Sequence, residues 1–134
     1  MAKTFYQLVA AAMATVPGIT PSRAEERIVA DPNVLLIDVL DLADRQALGQ
    51  PEGAVPISAG MLTLRADHEV PEQYRDARLQ DRSRPVITIC GNGPVSAIGA
   101  QALLEMGFAD VSYVSGGRAA WAQAGLPLVP PSDG

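Results

Sequence analysis

The sequence predicts an α/β domain in which a mainly parallel central sheet carries helices on both faces. Three observations lead there. Short apolar runs such as VLLIDV (34–39) and PVITIC (85–90) show no polar–apolar alternation, as expected of strands buried on both faces. Segments with helix start and stop signals separate these runs. The chain has 134 residues, 48% of them hydrophobic, which suits one domain with one core.

The elements follow in order. Phe5, Leu8, Val9 and Ala12 have the i, i+3, i+4, i+7 spacing of an amphipathic helix, which Pro17 and Gly18 end. The same stretch imitates a weak signal peptide. With a single lysine and with Gln7 interrupting the apolar run, it reads as a domain helix. A second helix starts at TPSRAEE, with Thr20 as N-cap and Pro21 at the first helical position. VLLIDV is a strand, DLADRQALG a third helix closed by Gly49, and GAVPI a short strand that Pro56 places at an edge. The polar stretch from 60 to 84 reads as helical turns and surface loop. PVITIC is the second buried strand, and PVSAIGAQALLEMG a helix with Pro94 in its first turn and Gly107 as its stop. DVSYVSG is a further strand, GRAAWAQAGLP the last helix, and VPPSDG a tail.

Composition narrows the function. The net charge is −5 and no long run of Lys or Arg breaks the acidic balance, which disfavours nucleic acid as a partner. No apolar stretch is long enough to cross a bilayer. Cys90 is the only cysteine and His68 the only histidine, so neither an intramolecular disulfide nor a cysteine-based zinc site can be built. A single free thiol points to a reducing, cytoplasmic setting.

Cys90 is therefore the residue to explain. A free cysteine closing an apolar strand is commonly just packed. Its sequence context favours chemistry. Ligands of open α/β sheets bind beyond the carboxyl ends of the strands, where Cys90 falls. The following Gly91, Asn92, Gly93, Pro94, Val95 and Ser96 include two glycines and open a helix. Such a loop can curl so that its N–H groups point inward, and the helix adds the positive end of its dipole. Both effects favour a thiolate, the reactive form.

Four segments in register resemble the single-domain rhodaneses, a family of sulfurtransferases. LLIDVLD resembles the family's strand-plus-Asp motif. GQPEGAVPI resembles its GHIPGAxxI segment. ITICGNGPVSA resembles the strand, nucleophilic Cys and six-residue active loop. The stretch ending in GGRAAWAQAGLPL resembles its closing GGxxxW segment, with Gly116, Gly117 and Trp121 in place. The resemblance implies a three-layer rhodanese-like domain over 20–128, an N-terminal helix segment over 1–19 that packs on or precedes it, and a tail over 129–134. It implies transfer of sulfane sulfur from thiosulfate or polysulfide to a thiol or cyanide acceptor through a Cys90 persulfide. The amides from Gly91 to Ser96 would cradle that sulfur, with no cofactor or metal. A sulfur-relay protein is a further partner consistent with the family. The alternative is a sulfur-carrier or protein-binding domain with little thiosulfate turnover.

Departures from the family pattern bear on the substrate. Val95 stands where many members carry a loop Arg that grips anions, so thiosulfate binding should be weaker. The missing Arg also disfavours phosphatase or arsenate reductase chemistry. Leu40 replaces an Arg that commonly pairs with an acidic residue of the next helix. Gln50, Pro51 and Glu52 replace the usual HIP. Arg118 is either a solvated helix-start arginine, the commoner case, or a cation reaching the anion site. Arg65 and Arg84 are more remote substitutes. Asp38 is expected to be structural, accepting backbone hydrogen bonds, and Trp121 to anchor the core.

Overall fold

The computed structural model describes residues 1–131. Seven strands and six α-helices run in the order α1 (Phe5–Thr15), β1 (Gly18–Ile19), α2 (Pro21–Ala30), β2 (Leu35–Asp38), α3 (Leu42–Leu48), β3 (Gln50–Pro51), β4 (Val55–Pro56), α4 (Ala59–Ala66), β5 (Val86–Ile89), α5 (Pro94–Glu105), β6 (Val111–Val114), α6 (Gly117–Gln123) and β7 (Leu128–Val129). Two 3-10 turns, Glu72–Tyr74 and Ala77–Leu79, lie between α4 and β5.

The central sheet has five strands in the order β1-β6-β5-β2-β4, and every neighbouring pair is parallel. Asp38 of β2 lies opposite Ile89 of β5 and Pro56 of β4. The carboxyl ends of these three strands therefore share one edge of the sheet. Proline at the end of an edge strand costs no ladder hydrogen bond, which explains Pro56. A separate two-stranded antiparallel pair joins β3 to β7.

Alternation along the strands divides the core into two layers. Leu35, Ile37 and Val39 pack with Leu62 and Ala66 of α4, with Ala97, Ala100 and Leu103 of α5, and with Ala12 of α1. Leu36, Ile87, Ile89 and Val114 pack on the opposite face against Ala24 of α2 and Trp121 of α6. Ile37, Ile87 and Ile89 are fully buried, each stabilising the fold by roughly 1.5–3 kcal/mol relative to exposure. Trp121 anchors its layer as expected, and its indole N–H donates to the carbonyl of Pro127 at 3.1 Å.

Helix starts follow the sequence signals. Thr20 caps α2 by accepting the Arg23 N–H, and Pro21 occupies the first turn. Thr4 and Gln7 form a capping box at α1. Helix α1 lies along α5. Its buried stripe is narrower than its spacing suggests. Val9 and Ala12 are buried, whereas Phe5 and Leu8 are each 47% exposed.

Three expectations need correction. The 60–84 stretch holds most of a full helix, α4, whose Leu62 and Ala66 at i, i+4 bury one face. The tail expected to begin at 129 starts inside β7, and residues 132–134 lie outside the described residues. The two-residue strands β1, β3 and β7 carry too short a pattern to be read in sequence.

Candidate active site

Cys90 follows directly on Ile89, the last residue of β5, and its side chain is 1% exposed. Its Sγ accepts the Gly93 N–H at 3.1 Å. Gly93 adopts φ +117°, a conformation open to glycine, and its carbonyl receives both the Ala97 N–H at 3.0 Å and the Ser96 hydroxyl at 2.9 Å. The Thr88 hydroxyl, inside β5, donates to the Ser96 carbonyl at 2.8 Å. A threonine within an otherwise aliphatic strand needs a buried acceptor, and here that need ties the strand to the loop's end.

The outer side of the loop is held by α6. The Arg118 and Ala119 N–H groups donate to the carbonyls of Cys90 and Gly91 at 2.9 and 3.1 Å. With these carbonyls turned to α6, the amides of Gly91 and Asn92 donate to no protein acceptor among the described residues. The contact needs a bare backbone on the α6 side. A Cβ on Gly117, where φ is +57°, would stand 2.7 Å from Asn92 N, from Cys90 O and from Gly91 C. The second glycine of the GG pair thus lets α6 approach the cysteine loop. Of the other loop residues, Asn92 is exposed, and Pro94 and Val95 are half-buried. Val95 packs its apolar side chain against the core.

Arg118 departs from the commoner sequence expectation, a solvated arginine at a helix start. It is 3% exposed, so it is not solvated. Its Nη2 donates to the Asp38 carboxylate and its Nε to the Gly49 carbonyl at 2.9 Å. Asp38 alternates with Val39, which packs in the Cys90 layer, so the ion pair belongs to the other face of the sheet. Through Nε and Nη2 the guanidinium holds α6 to the end of β2, while its Nη1 is buried without a hydrogen-bond partner. Asp38 accepts the Leu40 N–H at 3.2 Å, the backbone contact expected of it, and the pairing with Arg118 adds to that role. Burial is the strongest influence on Asp38 and raises its pKa above the ordinary carboxylate value. The charge of Arg118, the Leu40 N–H and the charge of Arg45 act against it.

The cation missing at position 40 is replaced from the next helix. Arg45 turns inward from α3, is 8% exposed, and donates to the Leu40 carbonyl and to Gln50 Oε1, both at 3.3 Å. Gln50, which departs from the family's HIP, donates in turn to the Ala54 carbonyl at 3.3 Å. Arg84 lies at the opposite edge of the sheet, its Nε on the Asn33 carbonyl ahead of β2. His68 pairs with Gln80 beyond α4. Among the described residues, no group of His, Cys, Asp and Glu is arranged to hold a metal ion, and no helix is long and apolar enough to cross a membrane.

The fold and its site define a three-layer α/β domain that presents one cysteine on a glycine-bearing loop between a central strand and a helix. The chain belongs to the rhodanese-like domain family, which it matches over residues 20–124. It is 32% identical over 114 residues to the thiosulfate sulfurtransferase GlpE of Glaesserella parasuis, an alignment covering 85% of this chain and 94% of that protein. In three dimensions it resembles the homodimeric polysulfide-sulfur transferase of Wolinella succinogenes, at 27% identity and a TM-score of 0.72 over 93% of this chain and 86% of that one. A Rhodopseudomonas palustris protein of unknown function, described as a possible tyrosine phosphatase, superposes with a TM-score of 0.87 over 96% of both chains. At 23% identity it shares the fold alone.

Proposed function

We propose that this protein is a sulfurtransferase in which Cys90 carries the sulfur as a persulfide. The observation that carries this reading is the bond from the Gly93 N–H to Cys90 Sγ, in a loop whose carbonyls are drawn away by α6. Backbone donors held in advance around a nucleophilic sulfur stabilise its charge without reorganising during the reaction.

In the first half-reaction the Cys90 thiolate attacks the outer sulfur of thiosulfate. A sulfur–sulfur bond forms to Cys90, the bond to the sulfonate breaks, and sulfite leaves with the electron pair. In the second, an acceptor nucleophile such as cyanide or a thiolate attacks the terminal sulfur of the persulfide and Cys90 departs as thiolate. This is covalent catalysis in two steps, with no metal or cofactor. The amides of Gly91, Asn92, Gly93, Val95 and Ser96 are the donors assigned to the thiolate and persulfide, since Pro94 has no N–H. A reducing, cytoplasmic setting suits a catalytic free thiol.

Val95 favours a second reading within the same chemistry. Its half-buried aliphatic side chain leaves the loop rim without a side-chain cation, which suits polysulfide, or a persulfide carried by a relay protein, better than thiosulfate.

Intact mass after incubation with thiosulfate, and separately with polysulfide, tests both readings. The expected result is one added sulfur atom in the wild type and none in Cys90→Ser. Loading from polysulfide alone selects the second reading. Loading from neither donor refutes the assignment.

A further inference from the structure

We propose that the cleft between α4 and the 3-10 turns that follow it binds a small organic polyanion bearing carboxylate or phosphate groups. The site is distinct from the loop of Cys90 and does not depend on the sulfur chemistry. The cleft encloses about 490 Å³, within the range of small-molecule sites. Its lining combines Ile57 and Met61 with three arginines, Arg65, Arg75 and Arg78.

The charge balance within the cleft makes the case. Asp76 is the one acidic residue lining it, and both its carboxylate oxygens are engaged by Arg78 at 2.7–2.9 Å. Arg65 and Arg75 form no ion pair among the described residues, although the charge of Arg65 also acts on Asp76. Each is fixed instead by one hydrogen bond to a backbone carbonyl. Arg65 Nη1 donates to Tyr74 O at 3.0 Å and Arg75 Nε to Val70 O at 2.8 Å. Two anchored guanidiniums with donors to spare are preorganised for oxyanions, so little side-chain freedom remains to be lost on binding. Glu72 lines a neighbouring recess with Arg75 but forms no ion pair with it. This concentration of positive charge stands out on a chain of net charge −5. Met61, at 37% exposure, offers an apolar seat for the ligand's body.

Citrate is a suitable probe, followed by amide chemical shifts of the full-length protein. Saturable shifts confined to residues 56–61, 65 and 75–78 are expected, with affinity falling at least ten-fold in Arg65→Gln/Arg75→Gln. Arg23→Gln, on the surface of α2, should bind as the wild type does. Non-saturating shifts, shifts centred elsewhere, or unchanged affinity in the double variant overturn the proposal. The wild-type shift map decides the question even if the double variant fails to fold. Hexaglutamate binding at these residues where citrate does not would overturn the small-ligand reading in favour of a protein dock.

Discussion

Gly117→Ala tests whether α6 sets the position of the cysteine loop. The new Cβ would stand 2.7 Å from three backbone atoms of residues 90–92, none of which can rotate away as a side-chain end could. Two costs add. Holding alanine at φ +57° costs roughly 1–2 kcal/mol, and forcing a methyl into a filled space typically about 1–3 kcal/mol. The total is about 2–5 kcal/mol. Gly125→Ala is the matched control, because its φ is +80° and no atom lies within 4 Å of its Cβ. That variant bears the conformational cost alone. Urea unfolding should therefore place Gly117→Ala about 1–3 kcal/mol below Gly125→Ala, the overpacking part by itself. The loop must also shift to relieve the contact, which moves the Gly93 N–H relative to Sγ. A displacement near 1 Å at a reacting centre can lower rates by roughly a hundred-fold. Sulfur loading by intact mass should fall by that order in Gly117→Ala and stay at the wild-type rate in Gly125→Ala. Equal stability of the two variants would refute the close-approach argument, and wild-type loading by a measurably destabilised Gly117→Ala would refute the link to the loop.

Two further predictions concern charge. Arg118→Met leaves Asp38 buried without its main partner and should cost about 3–5 kcal/mol at neutral pH. Burial already raises the folded-state pKa of Asp38, and losing Arg118 raises it further, so the native variant binds a proton more readily than the unfolded chain. Its deficit against wild type should thus shrink as pH falls into the range where the carboxyl becomes neutral, and a deficit independent of pH would contradict the assignment. The hydrogen bonds from Arg78 hold the Asp76 pKa below its ordinary value of 3.8 against the opposing effect of burial. The stability this gives is present above pH 3.8 and lost as pH falls through the folded-state value, so Asp76→Asn should cost no more than about 1 kcal/mol at pH 7 and nothing in strong acid, measured by thermal unfolding.

The sequence by itself determined the fold class, the main parallel strands, most helix boundaries and the address of the single thiol. Each rests on local information: an unalternating apolar run, a cap such as Thr20, a stop such as Gly49, or a cysteine closing a strand before a glycine loop. The family resemblance added the GG segment before the last helix, and the structure showed that Gly117 backs onto the cysteine loop. The tertiary structure alone decided where the charged side chains went. Arg118 has the sequence context of an exposed helix start, yet it is buried against Asp38, because the first turn of α6 packs on the loop after β5 and the side chain reaches across to the end of β2. Arg45 enters from α3 where Leu40 had signalled a missing cation. Arg65 and Arg75 meet only because the chain folds back across α4, and no periodicity encodes that return. The physical reason is common to all three. Hydrophobic burial and capping act over a few residues and leave a periodic trace, whereas ion pairs and shared clefts depend on distances that only the packed elements set.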